Sequence, residues 1–375
     1  MKSIGLYVHI PFCVSKCRYC DFYSLPEKCA GLDKKMDYVS ALMRHFDACA
    51  ERYGRLSADT VFFGGGTPTF LPTELLLEII EGVKSRFDLT RNCEFTLEAN
   101  PETLDGEKLT RLRSAGVNRL SIGIQSAVDA ELSQLGRIHT FESAKRAFHL
   151  TRKCGFDNIS VDLMYGIPSQ TEQSLLYTVE AVTALEPDHV SLYGLQLEEG
   201  TPLWRDRDTL ALADGDECAT MFGKAVSKLR ERGYGRYEIS NFAKDGSQCR
   251  HNLGYWQGKD YLGFGPGAYS CFGGKRFSVM SDLGAFLTEV PEALITVDET
   301  LTDEERAREY VMLSLRLCDG FSVEELFDRT RNAEFYLKRC EPFIKSGFLR
   351  KENGRIFFTD RGFDVSNAVL SEILF

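Results

Sequence analysis

Between residues 4 and 197 one pattern recurs six times: a short apolar run rich in β-branched and aromatic residues, with helix-like stretches lying between the runs. The runs are IGLYVHI (4–10), TVFFGGG (60–66), EFTLEAN (94–100), RLSIGIQ (119–125), NISVDLMYG (158–166) and HVSLYGLQL (189–197), and they read as strands. The helical stretches are 33–52, 73–87, 105–115, 141–154 and 171–185, with start signals at Thr73 and Thr171 and cap glycines at Gly116 and Gly155. Strands alternating with helical crossovers imply an α/β fold on a parallel sheet. Polar residues fall at or near the C-terminal ends of successive strands: Cys13, Cys17 and Cys20, then Gly64–Thr67, Glu98, Gln125, Asp162 and Gln196. That placement favours a barrel, whose C-terminal rim carries the chemistry. A full barrel has about eight such units, so six imply a partial, TIM-like (β/α)6 barrel over residues 1–235.

Two further segments follow. Residues 236–300 are dense in glycine and aromatics and read as a connecting segment; it carries His251-Asn252-Leu253-Gly254-Tyr255-Trp256. Residues 301–375 return to helical patterns and end in two short strands around Asn353-Gly354, a strong hairpin signal. Helices followed by a hairpin predict a small winged-helix-like domain. Such domains often serve DNA, but this one holds 12 basic and 14 acidic residues, so a structural or substrate-covering role is expected.

The sequence CVSKCRYCDF (13–22) sets Cys13, Cys17 and Cys20 at C-x3-C-x2-C. Thiolates so close can all reach one small centre. Zinc takes four ligands, commonly from two such pairs, and no second C-x2-C or histidine pair follows; a zinc-binding structural protein nevertheless stays open as one reading. Three thiolates on a four-iron cluster leave one iron open to a further ligand. The other nine cysteines are scattered without ligand spacing, as small buried hydrophobes would be. The glycine run at 64–66 lacks the G-x-G-x-x-G fingerprint of dinucleotide sites.

Bulk properties narrow the setting. A net charge of −10 disfavours nucleic acid as partner. No apolar run approaches the roughly 20 residues of a membrane helix, and the first dozen residues do not read as a signal peptide. The expectation is a cytoplasmic protein with at most peripheral membrane contact.

With its cysteine spacing placed after a first strand, the chain resembles the radical S-adenosylmethionine (SAM) superfamily. The resemblance implies a [4Fe–4S] cluster on Cys13, Cys17 and Cys20, whose open iron chelates SAM. An electron from the cluster then cleaves the sulfonium into methionine and a 5′-deoxyadenosyl radical. YVHIPFC, GGGTPT, EANPE, RLSIGIQS, GR and DLMYGIP, in that order, resemble the oxygen-independent coproporphyrinogen III oxidase branch. By that similarity Tyr7, Tyr19, Gly65, Gly66, Thr67, Glu98, Gln125, Arg137, Asp162 and Gln196 are expected around SAM. The porphyrinogen decarboxylases of the branch carry a fourth cysteine two positions on, where this chain has Phe22, and an N-terminal extension before the cluster. The chain instead has the H-N-x-x-Y-W sequence at 251–256 and in this resembles the haem chaperones of the superfamily, the HemW group. That resemblance implies haem as cargo, with His251, Tyr255 and Trp256 as its candidate ligand and contacts. It further implies haemoprotein acceptors such as membrane cytochromes, and an electron-donor protein. No residue is assigned a catalytic role, and oxidative decarboxylation remains the enzymatic alternative.

Overall fold

The computed structural model describes residues 3–375. Its main sheet has twelve strands, six of them parallel and consecutive: β1 (Ile4–Ile10), β2 (Ser57–Gly65), β3 (Asp88–Ala99), β4 (Arg119–Gln125), β5 (Ile159–Tyr165) and β6 (His189–Gly194). Helices α1 (Leu32–Tyr53), α2 (Thr73–Arg86), α3 (Gly106–Ser114), α4 (Phe141–Lys153) and α5 (Glu172–Thr183) make the crossovers.

Both faces of these strands are buried, and alternation along each strand sorts the side chains. Leu6, Val8, Val61, Phe63, Leu97, Leu120, Ile122, Val161, Leu163 and Val190 face the helices and belong to one continuous core. Each such leucine, isoleucine, valine or phenylalanine contributes about 1.5–3 kcal/mol by leaving water. The opposite positions, Tyr7, Phe62, Glu98, Ser121, Gly123, Gln125 and Asp162, line an interior cavity. One face of the sheet thus holds the fold together, and the other is free to carry polar groups.

Residues 236–300 do more than connect. β7 (Asn241–Ala243) runs antiparallel to β6. β8 (Tyr261–Phe264) lies parallel to β1 on its other side, Leu6 opposite Leu262, as a seventh parallel strand. β9 (Tyr269–Phe272), β10 (Lys275–Val279) and β11 (Ile295–Thr300) extend that edge. The sheet does not close: its outer strands are β11 and the two-residue strand Gly235–Arg236. A helix absent from the sequence reading, α6 (Gly215–Glu231), follows β6. Its signal was present in Asp214 and Glu217, which cap each other's backbone N–H at 2.8 and 2.9 Å. The segment between β7 and β8 forms a short helix, α7 (Arg250–Trp256), packed against β2.

The C-terminal region has its own core, including Val311, Phe321, Leu326, Tyr336, Ile356 and Ile373. Phe321–Ser322, Leu349–Glu352 and Arg355–Phe358 form a three-stranded sheet among helices. Asn353 and Gly354 turn the hairpin with φ of 49° and 73°, both left-handed, as a two-residue turn of this hand requires. The region is tied to the barrel by the bridge Glu238–Leu317 and by the Cys318 N–H donating to the Tyr237 carbonyl. No helix of the described residues is long and apolar enough to cross a membrane.

Candidate functional site

The cavity, about 560 Å3, opens at the C-terminal rim of the parallel strands and reaches down to α7. Cys13, Cys17 and Cys20 line its upper end together, on the loop that leaves β1. Among the described residues no three His, Cys, Asp or Glu side chains are set to hold a single metal ion. The three thiols share one cavity wall. Burial, above all, raises the Cys13 and Cys20 thiols, so ligation there releases protons.

The loop is braced by its neighbours. Gly66 N–H donates to the Ile10 carbonyl at 2.8 Å and Thr67 N–H to that of Phe12 at 2.7 Å. The glycines at 65 and 66 are required by this bracing. A Cβ on Gly65 (φ 108°) would lie 2.6 Å from the His9 ring, and one on Gly66 2.7 Å from the Phe12 carbonyl oxygen. Their close approach is therefore to the protein's own first strand. The Thr67 hydroxyl faces Cys13 Sγ at 3.6 Å and accepts from Asn100 Nδ2 at 3.0 Å. Asn100 Oδ1 in turn accepts from Arg137 at 2.6 Å. Arg137 also donates to the Gly123 carbonyl at 2.6 Å and to Cys17 Sγ at 3.5 Å. A polar chain thus runs from one cysteine to another through Thr67, Asn100 and Arg137. Asn100 was missed in the sequence, although it sits inside EANPE beside Glu98.

Further down, Glu98 and Asp162 face the same space. Burial first, then the charge of Asp162, raises the Glu98 carboxyl to about 8. Burial also raises Asp162, against hydrogen bonds from Ser191 and Ser121, the latter at 3.1 Å. Gln125 ends β4 with φ of 69°, a left-handed conformation that costs a non-glycine residue about 1–3 kcal/mol. Tyr7 donates its hydroxyl proton to His9 Nδ1 at 3.1 Å, because His9 Nε2 must give its own to the Tyr23 carbonyl at 2.8 Å. Tyr19 and Gln196 also line the cavity, Gln196 just past the end of β6.

At the lower end stand His251, Asn252 and Tyr255 of α7. His251 is buried, stacked on Phe62 with ring centres 5.2 Å apart. Both its nitrogens have partners: Thr60 Oγ1 at Nδ1, 2.9 Å, and the Tyr255 hydroxyl at Nε2, 2.8 Å. Burial, then the charge of Lys259, lowers its pKa to about 3, so the ring is neutral at physiological pH. Trp256 is not brought to this wall; only His251 and Tyr255 of the expected haem trio reach the cavity. Phe62, Ser121 and Arg119 line it without having been singled out, because nothing in a strand's sequence tells which way its register turns a side chain.

Residues 7–182 match the radical SAM superfamily and 301–365 the HemN C-terminal domain. The chain is 34% identical over 385 aligned positions to the haem chaperone HemW of Bacillus subtilis, covering 100% of this chain and 99% of that one. The chain belongs to the HemW family. The Escherichia coli haem chaperone HemW is 40% identical over 72% of this chain and 70% of its own. The solved structure of coproporphyrinogen III oxidase HemN from Escherichia coli superposes with a TM-score of 0.86 over 99% of this chain and 90% of that one, at 21% identity. That likeness shows the fold.

Proposed function

We propose that the protein carries a [4Fe–4S] cluster and SAM at the cavity's upper end, binds haem in the space below, and delivers haem to haemoproteins. The observation that carries this reading is full-length similarity to haem chaperones, together with one cavity joining the three cysteines to the H-N-x-x-Y-W helix. Three thiols and no fourth cysteine on the wall fit a cluster with one open iron, and the Arg137–Cys17 contact fits a thiolate ligand.

When bound, the cluster supplies a one-electron reductant beside SAM. The chain's own part is positional. Arg137, held by Asn100 and the Gly123 carbonyl, offers a fixed fork for a carboxylate. Glu98 and Asp162 are acceptors for an ammonium or for ribose hydroxyls, and an ammonium arriving beside Glu98 favours its ionised form. His251 would be the protein ligand to haem iron: its ring is already neutral, as ligation requires, and Nε2 would be free once the Tyr255 hydroxyl turns away.

The test is haem transfer. Anaerobically reconstituted protein loaded with haem is mixed with an apo-cytochrome of the membrane, and the acceptor's Soret band is followed. Acceptor loading faster than from free haem is expected. No haem retained, or decarboxylated product formed from coproporphyrinogen III and SAM at a turnover rate, overturns the reading.

A further inference from the structure

The cavity's lower half contains a buried cation, Arg119, whose Nε has no hydrogen-bond partner. Arg119 opens β4 on the inner face of the sheet, is 2% exposed, and forms part of the cavity wall. Thr96, paired with it in register on β3, is fully buried, and its Oγ1 is also without a partner. The carboxylates that balance Arg119 in charge are occupied elsewhere. Glu94 accepts from the backbone N–H of Arg250 at 2.9 Å and of His251 at 3.0 Å, and from Cys249 Sγ at 3.6 Å. Asp162 accepts from Ser121 at 3.1 Å. A buried guanidinium has five N–H donors in a rigid fork matched to a carboxylate, and leaving such a charge without acceptors is strongly unfavourable. The site is therefore built for a carboxylate from outside the chain.

Two features indicate which one. Arg119 lies six residues back along its strand from Gln125, about 20 Å at the strand rise, so it stands well below the end of β4, within charge reach of Asp162. Tyr7 and Phe62 lie level with Arg119 across the sheet, Tyr7 opposite Phe62, Phe62 opposite Thr96 and Thr96 opposite Arg119, and the Tyr7, Phe62 and His251 rings stack in a row. A macrocycle with carboxylates on one edge matches a layer of aromatic rings that ends in a guanidinium.

We propose that Arg119 binds a propionate of the haem, so that the macrocycle enters the barrel propionate edge first. This rests on the reading of haem as cargo and adds the residue that fixes its orientation. The experiment titrates haem, haem dimethyl ester (propionates masked) and SAM separately into reconstituted wild-type protein and Arg119→Gln, with melting curves of both. Arg119→Gln is expected to bind haem at least about tenfold more weakly and SAM unchanged. The ester should bind the wild type with a similar loss and the variant with no further one, since both changes remove the same contact. Equal affinity of wild type for haem and its ester overturns the proposal, as does a variant weakened toward SAM alone, which would give Arg119 to the SAM carboxylate. If Arg119→Gln fails to fold, the ester comparison on the wild type decides alone. Wild type that binds neither haem nor ester sinks the chaperone reading itself.

Discussion

The two ends of the cavity are built on opposite plans. At the rim the groups are tied to each other: Cys13, Thr67, Asn100, Arg137 and Cys17 form one chain of contacts. The ligand-bearing loop is further braced by backbone bonds from the glycine turn. Such a rim is rigid before anything binds, which is what holding a reactive centre in place demands. At the floor, His251 has partners that are hydroxyls and can turn away, and Arg119 Nε has none. This end is complete only with a ligand in it. A fixed centre above and a receptive floor below suit a protein that holds one group permanently and another in transit.

The comparison breaks most sharply at the cysteines. Cys17→Ala leaves two thiols for the proposed cluster, and bound iron and sulfide are expected to fall to background in anaerobically purified protein. Cys249→Ser, the corresponding change at the floor, should leave iron content as in the wild type. Equal losses in the two variants would mean that the cluster does not sit at the rim.

Changes to α7 should do the reverse. His251→Ala is expected to weaken haem binding by roughly tenfold or more, the scale on which metal sites respond to lost partners, while iron content and SAM affinity stay put. Tyr255→Phe sharpens the point, because it frees Nε2 without removing the ring. Haem affinity should hold or rise in that variant. Unchanged haem spectra in His251→Ala would place the iron's ligand elsewhere.

Glu98 sits between the two ends, and its carboxyl is raised from 4.5 to about 8. The folded state therefore keeps a proton that the unfolded chain has lost across that interval. Stability from this group is complete below 4.5 and is lost as pH rises through 8. Glu98→Gln removes the dependence. Denaturant melts of ligand-free protein should find the variant no better than wild type near pH 5, but about 2–4 kcal/mol more stable near pH 9. Parallel pH profiles would contradict the burial of this carboxyl.

The rim was legible in the sequence and the floor mostly was not, for a physical reason. The cysteines, the glycine turn and Glu98 lie in short contiguous motifs at strand ends, where local spacing decides what faces the cavity. Arg119, Thr96 and Phe62 lie within strands, where alternation marks two faces but not which one is the lumen. Arg119 even begins a strand that reads as ordinary apolar sheet, and only its pairing with Thr96 and its place in the cavity wall reveal it. The fold followed the same division. The six repeated units were visible, whereas the parallel strand Tyr261–Phe264 beside β1 was hidden, because long-range pairing leaves no local trace.

The smallest expected effect belongs to Gln125, the last residue of β4. Its φ of 69° is the kind that glycine adopts freely and other residues do not. Gln125→Gly should relieve about 1–3 kcal/mol of strain and give back about 0.5–1 kcal/mol through the greater freedom of the unfolded chain. A net stabilisation of ligand-free protein near 1 kcal/mol is expected, read as a rise in denaturant midpoint at constant slope. The same variant loses a side chain that lines the cavity, so if Gln125 contacts SAM as proposed, SAM affinity should drop as stability rises. That opposition is what separates a strained ligand-binding residue from a poorly fitted turn. If stability and SAM affinity both stay unchanged, the rim's rigidity does not extend to Gln125.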